Sequence, residues 1–245
     1  MRLCIAQTRP VKGDVSANID AHLRFIDLAS TLTSDAIFFP ELSLTGYEPD
    51  LADTLATHPE EGRFAVFQEA SDRNKIIIGL GMPIRTESKP RIGMILFEPF
   101  KRRQTYFKQL LHSDELPYFE CGVGQVIIHA HGRQIAPAIC YESLQPTHSD
   151  NAFKLGADVY VASVAKPANG VLKAFDHFPK LAKRHAVPVL MSNSVGFCDN
   201  FLSVGQSSVW TKEGHLVGQL DDKTEGLLMF DTETEELVER YLNPH

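Results

Sequence analysis

Three residues with complementary chemistry each close an apolar run in this 245-residue chain. Cys140 ends Ile135-Ala-Pro-Ala-Ile-Cys140, which reads as a short buried strand and leads through Tyr141-Glu142 into a helix-like segment. Glu41 closes Ala36-Ile-Phe-Phe-Pro-Glu41, and Lys108 follows Tyr106-Phe107. Enzymes of the α/β class carry their reactive groups at strand ends. A thiol, a carboxylate and an ammonium at three such ends therefore form a candidate hydrolytic centre.

Each residue also has an ordinary reading. A buried cysteine is usually a small hydrophobe. A strand end followed by a helix, however, offers backbone N–H groups to an oxyanion, and the helix start with a nearby ammonium lowers a thiol pKa. Glu41 follows Pro40 and three apolar residues, where a carboxylate needs solvent or a partner. Beside Cys140, desolvation would raise its pKa toward the range of a general acid/base. Lys108 alone would be a snorkelling lysine, but beside a tetrahedral intermediate its charge and the Tyr141 N–H would stabilise the oxyanion. His112, His129, His131, His148, His177 and His185 are alternative bases, and none has a setting that singles it out. Cys4 falls in a strand, and Cys121 and Cys198 fall in loop-like segments, so these three read as structural. Lys166-Pro-Ala-Asn-Gly170 reads as a solvated turn, with contact between Lys166 and an anionic substrate as the sharper alternative. Lys101-Arg-Arg103 reads as a solvated hairpin face.

The elements that must position these groups alternate along the chain. Strands are expected at Leu3–Gln7, Ile37–Phe39, Lys75–Leu80, Ile92–Phe97 and Gln104–Phe107, with helices over Asp14–Leu32 and Glu61–Arg73. The second half continues with strands at Gln125–His129, Ile135–Cys140, Asp158–Val161 and Val187–Met191 and helices over Pro146–Leu155 and Val171–His185. A hairpin spans Gln206–Thr211 and His215–Leu220, and Leu227–Phe230 is the last strand before an acidic tail. No Pro/Gly/Ser linker or low-complexity tract divides the chain, so residues 1–245 read as a single layered α/β domain. Spacing alone leaves one central sheet and two packed sheets as alternatives.

Composition narrows the class. The net charge of -7 and the lack of a broad basic stripe exclude the electrostatic footprint of a nucleic-acid binder. No apolar run reaches bilayer length, which excludes an integral membrane role. The four scattered cysteines and a first segment that reads as strand imply a reducing, cytoplasmic setting.

Several short segments together resemble the carbon-nitrogen hydrolase, or nitrilase, superfamily over nearly the whole chain. Phe39-Pro-Glu-Leu-Ser-Leu-Thr-Gly-Tyr47 resembles its glutamate motif, Tyr106-Phe-Lys108 its lysine motif and Ile139-Cys-Tyr-Glu142 its nucleophile elbow. Gly156-Ala-Asp158, Asn193-Ser-Val-Gly196 and Gly205-Gln-Ser207 with Gly214 are similar to further elements of the family. The resemblance implies a four-layer α-β-β-α sandwich, a homodimer or higher homo-oligomer, and a Glu41-Lys108-Cys140 centre acting on a small-molecule amide without metal or cofactor. It also implies a second glutamate beside the lysine. Glu115 takes that place, with Glu120 as the weaker candidate. Tyr47, Tyr118, Phe119, Tyr141, Glu142, Ser163, Val164, Ala165 and Asn193 are the implied oxyanion and substrate-binding residues.

Two departures bear on the substrate. Gln109-Leu110-Leu111 stands where the family often has His-Leu, and the segment from Lys108 to Glu115 is short. Tyr141 after the nucleophile, where nitrile-specific members suggest Trp, favours amidase over nitrilase. A nitrilase, an N-carbamoyl amidohydrolase, an acyl transferase and a non-catalytic binding protein with this fold are the alternatives.

Overall fold

The computed structural model describes residues 1–242. A first sheet starts with β1 (Arg2–Gln7) and helix α1 (Val15–Thr31), then β2 (Ala36–Phe38), the short helix α2 (Ala52–Leu55) and helix α3 (Ala65–Asn74). It continues through β3 (Ile77–Ile84), β4 (Arg91–Phe97) and β5 (Gln104–Phe107). The chain then crosses to a second sheet through β6 (Ile128–Ala130), β7 (Arg133–Ile139), helix α4 (Pro146–Lys154), β8 (Val159–Val164), helix α5 (Ala168–His185) and β9 (Val189–Asn193). A separate hairpin of β10 (Val195–Cys198) and β11 (Phe201–Val204) follows. Strands β12 (Ser208–Trp210) and β13 (Leu216–Gln219) complete the second sheet, and β14 (Gly226–Asp231) and β15 (Leu237–Tyr241) return to the first.

The seven-stranded sheet has the order β15-β14-β1-β2-β3-β4-β5, and the six-stranded sheet has the order β13-β12-β9-β8-β7-β6. Strands β1, β2 and β3 run parallel, as do β7, β8 and β9. Parallel neighbours need a crossover, and α1, α3, α4 and α5 supply them.

Alternation along each strand decides which layer a side chain joins. Leu3 and Ile5 of β1, Met94 and Leu96 of β4, Ile135 and Ile139 of β7 and Val159 and Val161 of β8 fill one apolar layer between the sheets. Cys4, Ala6, Ile78 and Leu80 point the other way and pack on Phe25, Ile26 and Phe67 of α1 and α3. Ala136, Ala138, Tyr160 and Ala162 pack on Ala152, Phe178 and Leu181 of α4 and α5. Three apolar layers separate four layers of secondary structure, which makes the fold an α-β-β-α sandwich and decides between the two arrangements that spacing left open. Strands covered on both faces read as continuous apolar runs, which is why Ala36–Phe39 and Ile135–Ile139 stand out in the sequence.

Two stretches differ from the sequence reading. The segment around Cys198 is the β10–β11 hairpin rather than loop. The acidic tail after Leu227–Phe230 contains β15, an edge strand paired antiparallel to β14. Glu239, Arg240 and Tyr241 of β15 are exposed, so the strand carries no apolar signature.

Candidate active site

Sheet ends from both halves of the sandwich meet at one place. Glu41 lies in the turn after β2, Lys108 just past β5, Glu115 in the following loop and Cys140 just past β7. The Glu41 turn is held from behind. His22 of α1 lies 2.9 Å from Ser43 Oγ through Nε2, and Gly81 N donates to the same hydroxyl. A Cβ on Gly81 would lie 2.3 Å from Leu42 N, so only glycine lets β3 approach this turn.

Lys108 is fully buried, and its Nζ donates to Glu41 Oε1 at 2.7 Å and to Glu115 Oε1 at 2.6 Å. Glu115 also accepts from Tyr47 OH at 3.0 Å and from the His112 N–H at 2.7 Å. An ammonium has three donors. Two are therefore committed to carboxylates and one is left. Burial works against the Lys108 charge, but Glu41 and Glu115 outweigh it and hold the ammonium protonated.

Burial pushes the Glu41 carboxyl up to about 7, with Lys108 opposing that rise and the Glu115 charge adding to it. Glu41 Oε2 has no hydrogen-bond partner among the described residues, and the Cys140 thiol is near enough to help hold the carboxyl down. Burial first and Glu41 second push the Cys140 thiol up to about 11, while Lys166 and Lys108 pull it down. The resting pair is thus a protonated thiol beside a carboxylate that titrates near neutrality.

Cys140 has φ of 48°, a left-handed conformation that costs a non-glycine residue about 1–3 kcal/mol. Glu142 holds this turn. Its Oε1 accepts from the Ile139 N–H at 2.7 Å and from Tyr106 OH at 2.6 Å, and its Oε2 accepts from the N–H groups of Gln109 at 2.6 Å and Leu110 at 3.2 Å. One buried carboxylate therefore ties the nucleophile turn to the segment that follows Lys108.

Beside Cys140 opens a cavity of about 790 Å³, with Tyr47, Glu115, Tyr141, Ala165 and Lys166 on its wall. Asn169, Leu172, Lys173 and Asp176 of α5 form another part of the wall. Their i, i+3, i+4, i+7 spacing lies opposite the buried stripe of Val171, Ala174, Phe178 and Leu181, a pattern readable in the sequence but not used there.

Of the residues expected to contact substrate, Tyr47, Tyr141 and Ala165 lie on the wall, and Tyr118, Phe119, Glu142, Ser163, Val164 and Asn193 do not. Phe119 fills the layer between the sheets, and Tyr118 is exposed near Asp50. Ser163 and Val164 are buried in β8. Asn193 acts on Lys166, accepting from its N–H at 2.8 Å and donating to its carbonyl at 3.3 Å. Glu120 pairs with Arg91 at 2.8 Å, so Glu115 is the second glutamate on Lys108. The solvated-turn reading of Lys166 is overturned. Its side chain is buried in the wall, with Nζ 3.8 Å from Cys140 Sγ.

The family model for carbon-nitrogen hydrolases matches residues 2–239. This chain belongs to the carbon-nitrogen hydrolase family. Among solved structures, this chain is similar to an amidase of the nitrilase superfamily from Nesterenkonia sp. AN1, with a TM-score of 0.85, 21% identity and coverage of 96% of this chain and 92% of the other. That amidase has also been solved with butyramide and with an acetamide moiety covalently added at its active-site cysteine. Among curated proteins, the chain is 28% identical over 240 residues to the glutamine-dependent NAD(+) synthetase of Aquifex aeolicus, covering 93% of this chain and 41% of the synthetase. It is 27% identical over 151 residues to the omega-amidase YafV of Escherichia coli K12, covering 60% of this chain and 58% of that protein. The chain thus spans less than half the length of the synthetases it matches.

Proposed function

We propose that this carbon-nitrogen hydrolase cleaves a small non-peptide amide through a thioester on Cys140, releasing a carboxylic acid and ammonia or an amine. The observation that carries this reading is a single buried ammonium, Lys108, bonded to two carboxylates. One of them, Glu41, is raised to about 7 beside the thiol.

Glu41 takes the proton of Cys140 as Sγ bonds to the amide carbon. The oxyanion that forms is held by the third Lys108 N–H and the Tyr141 N–H. Glu41 then returns the proton to the departing nitrogen as the C–N bond breaks, leaving the thioester. Water attacks the thioester as Glu41 removes its proton, and that proton passes to sulfur as the C–S bond breaks. A carboxyl near 7 suits both halves, because it is neither too weak a base nor too weak an acid at neutral pH. Glu115 orients Lys108, and Glu142 keeps the Cys140 turn in place.

We also place the enzyme in the cytoplasm as a single-domain homo-oligomer. Four free thiols suit a reducing compartment. Phe197 and Leu202, paired across the β10–β11 hairpin and both exposed, form an apolar face suited to a second copy.

The test is ammonia release from a panel of small amides that includes glutamine, ω-amidated acids, N-carbamoyl amino acids and aliphatic amides, together with intact-mass detection of acyl-enzyme. Release that vanishes in Cys140→Ala supports the reading. No release from any amide, and no mass increase at Cys140, would refute it.

A further inference from the structure

Lys166 is a buried cation with an unmet need. It is 4% exposed, and its backbone is clamped on both sides. Its N–H donates to Asn193 Oδ1, and its carbonyl accepts from Val204 N at 3.2 Å and Ser203 Oγ at 3.2 Å. The stem lies against Gly170, where an added Cβ would come within 3.2 Å of Lys166 Cβ. A long lysine stem normally lets the ammonium reach solvent. Here the clamped backbone and the packed stem hold it in the wall instead.

No carboxylate lies within salt-bridge distance of Lys166 Nζ among the described residues, and its one hydrogen-bond contact is the 3.8 Å approach to Cys140 Sγ. A buried charge without a partner is unfavourable, and the deficit disappears when a ligand supplies the counter-charge. The acidic residues of the same wall are already engaged. Glu115 is paired with Lys108, Asp176 with Lys180 and Asp114 with His112.

Resting on the amidase reading above, we infer that the cavity takes an amide whose acyl chain carries a carboxylate, and that Lys166 is the residue that selects it. A charge-assisted hydrogen bond of about 2.8 Å from Nζ places that carboxylate within about 7 Å of the sulfur. This reach suits the monoamide of a short dicarboxylic acid. The reacting amide sits at Cys140, and the distant carboxylate sits on Lys166.

The test compares succinamate with 4-methylpentanamide, its neutral near-isostere, in the wild type, Lys166→Met and Lys166→Arg. The expected result is a wild-type preference for succinamate that falls on the order of a hundredfold in Lys166→Met. Turnover of 4-methylpentanamide should also fall, because Lys166 lies against the Cys140 thiol and pulls its pKa down, but by much less than turnover of succinamate, and Lys166→Arg should recover part of the preference. Succinate should likewise bind Cys140→Ala in a calorimeter and lose that binding in Cys140→Ala/Lys166→Met. Equal losses for both amides in Lys166→Met would assign the lysine to the thiol and overturn the inference. A wild type that hydrolyses neutral amides without preferring succinamate would overturn it while leaving the amidase reading intact. An enzyme that acts on no amide and forms no adduct at Cys140 would overturn both.

Discussion

Replacing Glu115 by glutamine should move the pH at which the centre becomes reactive, and the geometry gives the size of the move. The Oε1 atoms of Glu41 and Glu115 share Lys108 Nζ at 2.7 and 2.6 Å. Two oxygens so placed are about 4–5 Å apart, and at an effective dielectric of about 20 their charges repel by about 3–4 kcal/mol. At about 1.4 kcal/mol per tenfold change in acidity, this repulsion lifts the Glu41 carboxyl by about two to three pH units. Burial raises that carboxyl to about 7 with the Glu115 charge contributing, so without that charge it should titrate well below 7. The sign follows from the role. Glu41 is the base only when deprotonated, so reactivity rises with pH through its pKa, and a lower pKa extends activity toward acid. Lys108 keeps Glu41 as a partner in the variant, which acts in the same direction. The assay is the second-order rate of Cys140 alkylation by iodoacetamide across the acidic and neutral range, read by intact mass and independent of any substrate. The limb belongs to the Glu41–Cys140 pair as a unit. A limb that stays in place or moves up would refute this account of how the Glu41 carboxyl is set.

Two further perturbations probe the supports of the site. Glu142→Ala removes the acceptor of three backbone N–H groups and the Tyr106 hydroxyl, so stability should fall by about 3 kcal/mol or more, seen as a lower midpoint in urea unfolding. Gly81→Ala drives a methyl into Leu42 N and displaces the Glu41 turn. A shift approaching 1 Å costs about a hundredfold in rate. The variant should therefore lose kcat out of proportion to any loss of stability measured by thermal unfolding.

Much of this molecule was legible in one dimension because the underlying physics is local. Strands buried on both faces must be apolar along their whole length, so β2 and β7 announced themselves, and a charged group at the end of such a run stood out. Glu41, Lys108 and Cys140 were visible for that reason. Helix α1 was legible as well, and Asp14 caps it by accepting from Ala17 N. Edge strand β15 was not legible, because an edge exposed to solvent needs no apolar pattern and its pairing with β14 is a long-range event.

The wall of the cavity shows where local information ends. Tyr118, Phe119 and Tyr47 look alike in sequence, yet one is exposed, one fills the layer between the sheets and one bonds Glu115 on the cavity wall. Which direction a loop side chain takes depends on what the rest of the chain places beside it. Lys166 makes the same point most sharply. Its sequence neighbours, a proline, an asparagine and a glycine, are those of any solvated turn. Its burial comes from Asn193 at the end of β9 and from Ser203 and Val204 of β11, residues 27 to 38 positions away. The sequence determined which residue types could do the chemistry and which strands would end beside them. Only the tertiary structure decided that a lysine with the local signature of a surface residue would be held as an unpaired charge against the nucleophile, because burial is a sum of distant contacts that no short window contains.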